Sequence, residues 1–202
     1  MKDQFNVEAV GILQSVEKWQ SKKGLVYAKG RLLCQNPAVI VPFSSFSEEF
    51  NDLLFSDNVK SERIKIAGRA SEWNDGINIV VSQLVRAGSD EKDKSNFTLI
   101  GTLREFQEDG QVMFATIETK QRSGNKDVLN NVSVIAEKSE LLKEKLMHAE
   151  NRRVLAKGIL KQLNMDGEGD ARIMCWVISI DMLSEMIAGN VKPDSENVTN
   201  NT

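Results

Sequence analysis

The stretch IKIAGRASEWNDGINIVV, Ile64 to Val81, reads as two strands joined by a tight turn. Asn-Asp-Gly between apolar runs is a strong hairpin signal. Side chains alternate along a strand. Ile64, Ile66, Gly68 and Ala70 therefore share one face, and Arg63, Lys65, Arg69 and Trp73 share the other. The indole at the mouth of the turn stands beside charges, not in an apolar run.

Gly68 leads to the rest of the chain. IKIAGRA (Ile64 to Ala70) resembles VLAKGIL (Val154 to Leu160), and EAVGIL (Glu8 to Leu13) resembles TLIGTL (Thr98 to Leu103). Ninety positions separate Gly11 from Gly101, and ninety separate Gly68 from Gly158. Two glycine-centred strands that share one step along the chain point to a duplication.

Each half yields the same order of elements. In the first, strands are expected at Asn6–Trp19, Leu25–Cys34, Ala38–Pro42, Arg63–Trp73 and Ile77–Val85. Pro42 either ends the third strand or places it on an edge. Between the third and fourth, SFSEEFNDLLF reads as a short helix. Phe46, Phe50, Leu53 and Leu54 recur at helical spacing, and Ser45 with Glu48 forms a capping box. In the second half the strands are Phe97–Phe106, Val112–Lys120, Val132–Ala136, Arg153–Leu163 and Arg172–Leu183, with SELLKEKLMHAE as the helix.

Five strands with a helix between the third and fourth is the order of an OB-fold barrel. The expected fold is thus all-β with one short helix per domain, as two tandem five-stranded OB barrels. The first occupies residues 1–87 and the second 97–188. Polar residues 88–96 form a linker, and residues 189–202 read as a disordered tail.

Function follows from the outward faces. On the second strand Tyr27, Lys29 and Arg31 share the face opposite Ala28, Leu32 and Cys34. Cations alternating with an aromatic suit a single nucleic-acid strand, because the cations meet phosphates and the ring stacks on any base. Lys22 and Lys23 add charge at the tip of the first hairpin. In the second half Phe114, Lys157 and Lys161 point outward, but Leu163 replaces the tryptophan and Glu118 intrudes. Residues 1–88 hold 11 Lys and Arg against 10 Asp and Glu, whereas residues 89–202 hold 15 against 19. The first barrel is therefore the stronger candidate. Trp19 and Trp176 read as core or interface residues, and Phe46, like Phe43, serves equally as a packing or a stacking residue.

The first half resembles the OB domain of bacterial single-stranded-DNA-binding proteins. AVGIL resembles that family's opening strand, AVIVPFSSFSEEF its third strand and helix, and RIKIAGRASEWNDGINIVVSQL its last hairpin. The resemblance covers residues 6–86 and, more faintly, 97–183. It implies that Trp73 and Phe43 stack on bases. It also implies a homodimer presenting four barrels, with a place in replication, recombination or repair beside other replication proteins. The chain ends SENVTNNT, without the family's acidic tip that closes on proline and phenylalanine, so recruitment through such a tip is not expected.

Other chemistry finds little support. One histidine, His148, and two distant cysteines, Cys34 and Cys175, make neither a common zinc site nor a Ser/His triad. The cysteines read as reduced core thiols of a cytoplasmic protein. Asp166–Asp170 lacks the length and closing glutamate of a calcium loop, and phosphate-binding glycine motifs are missing. No catalytic residue, metal or cofactor is expected, nor a secretory signal or membrane span. Two other readings stay open: an OB-fold assembly module of a replication or mobile-element system, and a single-stranded RNA binder on the same scaffold.

Overall fold

The computed structural model describes residues 2–56, 61–73, 76–123, 126–163 and 172–183. Its first half contains β1 (Gln4–Gln20), β2 (Val26–Gln35), β3 (Ala38–Ser45), α1 (Glu48–Leu54), β4 (Arg63–Trp73) and β5 (Gly76–Arg86). The second contains β6 (Lys94–Asp109), β7 (Val112–Ser123), β8 (Lys126–Glu137), α2 (Glu140–Ala149), β9 (Arg153–Leu163) and β10 (Arg172–Met182). The expected tail from residue 189, the Asn-Asp turn residues 74–75 and the Asp166–Asp170 stretch lie outside the described residues. No described helix is long and apolar enough to cross a membrane.

In each half the strands close into a five-stranded ring. β1 pairs with both β2 and β4, and a short parallel pairing of β3 with β5 completes the circuit. β6 pairs with β7 and β9, and β8 with β10, in the same way. The chain is all-β with two short helices, arranged as two OB-type barrels.

The repeated glycines have a steric cause. A Cβ on Gly11 would fall onto the Leu33 carbonyl, and one on Gly101 onto the Glu118 carbonyl. Gly68 and Gly158 meet the carbonyls of Val80 and Trp176 in the same manner. Only a residue without a side chain lets these strands approach so closely.

Three local expectations are corrected. β3 runs through Pro42 to Ser45. At Pro42 it has β2 as its neighbour, opposite Arg31, and the β5 pairing begins only at Phe43, so Pro42 lies where the strand is an edge, the second of the two expected outcomes. α1 begins at Glu48 with Ser47 as N-cap and no side-chain capping bond, so Ser45 is a buried strand residue and not part of a capping box. β6 begins at Lys94, not Phe97, because residues 94–96 pair with β1.

That pairing joins the halves. β1 and β6 run antiparallel from Gln4↔Ile100 to Val10↔Lys94, which makes one ten-stranded sheet. Phe5 and Phe97 meet edge to face at 6.3 Å, and a single hydrophobic core runs from Phe5 through both rings to Ile180.

Candidate nucleic-acid interface

OB folds take oligonucleotides on the face of strands 2 and 3, between the loops that flank it. Here that face carries three cross-strand rows. Trp19 lies opposite Tyr27, Glu17 opposite Lys29, and Ser15 opposite Arg31. On the far side Lys29 pairs with Ser44 and Arg31 with Pro42. Ser15, Glu17, Trp19, Lys29, Arg31, Pro42 and Ser44, with Asn78 of β5, line an open groove of about 490 Å³, and Tyr27 stands beside it.

The aromatic end of the groove is ordered by specific contacts. The Lys29 ammonium sits 4.1 Å above the Trp19 ring and 5.9 Å from that of Tyr27. The Trp19 Nε1 donates to Glu17 Oε2 at 3.1 Å, which fixes the plane of the indole. Tyr27 stacks on Phe46 at 5.0 Å with the rings 23° apart. Trp19 and Phe46 remain 44% and 43% exposed, so each offers ring surface to solvent. A cation held on an aromatic is worth about 0.5–1 kcal/mol at such a site. Lys29 is thereby held between the two rings at the end of the groove.

Of the two readings of Trp19, core or interface, the structure removes the core: the ring is exposed at the open end of a hairpin whose two strands extend beyond the ring of strands, opposite Tyr27. Phe46 is freed by the late start of α1, which leaves it outside the helix and against Tyr27.

Phe43 is corrected. It is 1% exposed, on the inward face with Val39 and Val41, and its ring lies over Gly30. No base can stack on it. Arg63 and Lys65 are also corrected as free phosphate contacts. Residues 91–94 fold back beside β4: Arg63 pairs with Asp93 at 2.6 Å, and Lys65 with Glu91 and Glu8 at 3.1 and 3.2 Å. Lys65 is raised above its ordinary lysine value, chiefly by its bond to Glu91 and then to Glu8.

Arg69, farther along β4, is exposed and has no ion-pair partner among the described residues. Arg31 is exposed in the groove. Lys22 and Lys23 are exposed in the turn before β2. Trp73 is the last residue of β4, and its side chain lies outside the described residues.

The second half lacks this constellation. Strand register makes Asp109 the counterpart of Trp19, Val112 of Tyr27, Phe114 of Lys29 and Thr116 of Arg31. Phe114 is half-buried in a row with buried Ile135 and half-buried Trp176. Lys161 places its ammonium 3.7 Å over the Trp176 ring. Lys157 is exposed opposite Thr98. An apolar row thus stands where the first half carries cations and open rings.

Cys34 and Cys175 are both buried. His148 is exposed on α2, its Nδ1 2.8 Å from the Glu144 carbonyl. Among the described residues no cluster of three His, Cys, Asp or Glu side chains is placed to hold a metal.

No family model matches the chain, and no curated protein matches it by sequence. Solved structures do match in fold. The wild-type single-stranded DNA binding protein from Thermus aquaticus superimposes with a TM-score of 0.68 at 13% identity, over 90% of this chain and 94% of that one. A deletion mutant of that protein gives 0.66 at 13% identity, over 90% and 95%. The chain has the fold of these proteins. At this identity the likeness is one of architecture, and it extends over both barrels.

Proposed function

We propose that this chain binds single-stranded nucleic acid, DNA in the first place, with little sequence preference, on the outer face of its first barrel. The observation that carries the proposal is the Trp19–Lys29–Tyr27–Phe46 cluster at the end of the open groove on β1, β2 and β3. Stacking on exposed rings serves every base. Trp19, Tyr27 and Phe46 are assigned to stacking, with Trp73 kept from the family resemblance. Lys22, Lys23, Lys29, Arg31 and Arg69 are assigned to phosphates. The fold shared with two single-stranded DNA binding protein structures supports the reading. Residues 1–87 and 97–188 are taken as its two barrel units, the second a weak binder through Lys157 and Lys161. A homodimer, replication proteins as partners, a cytoplasmic setting and the lack of a catalytic role belong to the same proposal.

Titration with oligo-dT tests it. Tryptophan fluorescence is expected to be quenched, and Trp19→Ala to weaken binding by about 1–3 kcal/mol. Five phosphate contacts give a slope of log K against log salt near −3.5, at about −0.7 each on a single strand. Full affinity in a Trp19→Ala/Lys29→Ala double variant sinks the site. Preference for a matched RNA oligomer over DNA redirects the proposal to RNA.

The second half favours a narrower alternative for itself. Its Phe114–Ile135–Trp176 row is apolar where a strand-binding face needs charge, which suits protein assembly better than phosphate contact. Loss of self-association or partner capture in Trp176→Ala, with oligo-dT affinity intact, assigns it that role.

A further inference from the structure

A second groove, of about 530 Å³, lies where the β7–β8 hairpin of the second half approaches the outer face of β4 and β5. Arg69, Ser71 and Val80 line it from the first half, and Gln121, Val128 and Asn130 from the second. The Gln121 amide donates to the Ala70 carbonyl at 3.2 Å and so fixes the hairpin against β4. Val80 and Val128 are both 41% exposed, which leaves apolar surface on each wall. Among the described residues, the lining includes one cation, Arg69, and no carboxylate.

One continuous row of side chains connects this groove to the aromatic one. Lys29 pairs with Ser44, Ser44 with Val80, and Val80 with Arg69. The row crosses three strand spacings, roughly 14 Å at about 4.8 Å each. Lys29 and Arg69 stand at its two ends, and small or neutral residues lie between. Asn78, beside Ser44, bonds its hydroxyl and so belongs to the same floor.

We infer that a bound strand does not stop at the first barrel but crosses β3 and β5 along this row into the inter-half groove, where the second half completes the site. This inference rests on the proposed strand-binding function. It gives the second half a further part in binding, beside the weak contact assigned to Lys157 and Lys161 on a barrel where Phe114 takes the place of Lys29. Arg69 holds a phosphate at the crossing. Val80 and Val128 flank sugars or bases, and the Asn130 amide bonds whichever base edge it meets.

The experiment compares dT5 with dT15 by equilibrium titration of the full chain. Val128 is exposed, so charged replacements there leave the core untouched. Val128→Asp puts a carboxylate in the groove and is expected to weaken dT15 about five- to tenfold while changing dT5 less than twofold. Val128→Lys is expected to tighten dT15 and to steepen its salt slope by roughly 0.7, the value of one phosphate contact. Arg69→Ala is expected to weaken dT15 several-fold and to flatten that slope by a similar amount. If both Val128 variants bind dT15 as the parent does, while Trp19→Ala still weakens it, the inference is overturned and the first groove stands. If the parent protein binds neither oligonucleotide, the proposed function fails, and the inference with it.

Discussion

Val7 and Phe97 face each other across β1 and β6, and they are the same residue of the two halves, ninety positions apart. The pseudo-twofold axis of the duplication therefore passes between them. The symmetry reaches the side chains. Arg63 pairs with Asp93, and Arg153, ninety positions on, pairs with Asp3. Each carboxylate also accepts a backbone N–H of the opposite half: Asp93 from Gln35 at 2.9 Å and Asp3 from Lys120 at 3.0 Å. The two barrels are clasped twice around a shared sheet and core.

A shared core makes the halves one cooperative unit, so urea unfolding is expected to be a single transition by both fluorescence and circular dichroism. Asp93 is 7% exposed and serves both Arg63 and the Gln35 amide. Asp93→Ala leaves the Gln35 amide without this acceptor and Arg63 without its carboxylate, although Arg63 keeps its bond to the Glu91 carbonyl, and is expected to cost about 1.5–3 kcal/mol, the range for hydrogen bonds to a charged group. Two separated transitions in the parent protein contradict the single-unit view.

Gly30 and Phe43 make a second test. A Cβ at position 30 would fall into the Phe43 ring. Overpacking of this kind costs roughly 1–3 kcal/mol. Gly30→Ala is expected to lower the urea midpoint accordingly, and Gly30→Ala/Phe43→Leu to recover part of the loss. A Gly30→Ala protein as stable as the parent shows that the ring does not occupy that space.

These residues also show what could be read before the coordinates. The glycine spacing was legible because each glycine meets a backbone carbonyl of the neighbouring strand, a constraint that allows no other residue. The face of Tyr27, Lys29 and Arg31 was legible from alternation alone. Alternation from Val39 and Val41 also turns Phe43 inward; the family resemblance points it outward, and the packing follows alternation. Trp19 is harder, since an aromatic among polar residues fits a platform, an interface or a core, and its exposure removes only the core. Arg63 and Lys65 were beyond sequence reasoning. Their neutralisation depends on Glu91 and Asp93, which reach them only when β6 docks on β1.

Glu8 supplies a pH dependence with a definite sign. Its carboxyl is held below the ordinary range, first by its bond to Lys94 at 2.5 Å and then by Lys65, against an opposing effect of burial. A lowered folded value stabilises the fold above the unfolded carboxyl pKa, about 4.3. That contribution is lost as pH falls through the lower folded value. For a partly exposed pair it is about 1 kcal/mol or less. Glu8→Gln is expected to be less stable than the parent at pH 7, and the gap to close as pH drops below about 4. A gap that persists at pH 3 shows that the loss comes from packing rather than charge.

Cys34 offers the last test, at the alkaline end. It is buried against the core, and its thiol is pushed up to about 12, mainly by desolvation and further by the Asp93 carboxylate. An unfolded thiol ionises near 8.5. The folded chain therefore holds a proton that the unfolded chain releases, so stability is fully present below about pH 8.5 and declines as pH rises above it. The limiting slope for one such group is about 1.4 kcal/mol per pH unit. Between pH 8.5 and 10 the parent is expected to lose stability faster than Cys34→Ala, although the alanine variant starts lower because of the cavity it creates. The thiol itself is expected to ignore a disulfide reagent in the native state, since the thiolate is the reactive form. It should label only as fast as the chain opens, with a rate that rises with urea. Rapid labelling at pH 8 without denaturant shows the strand pair around Leu33 and Val39 open to solvent, and with it the floor beneath Lys29 and Arg31.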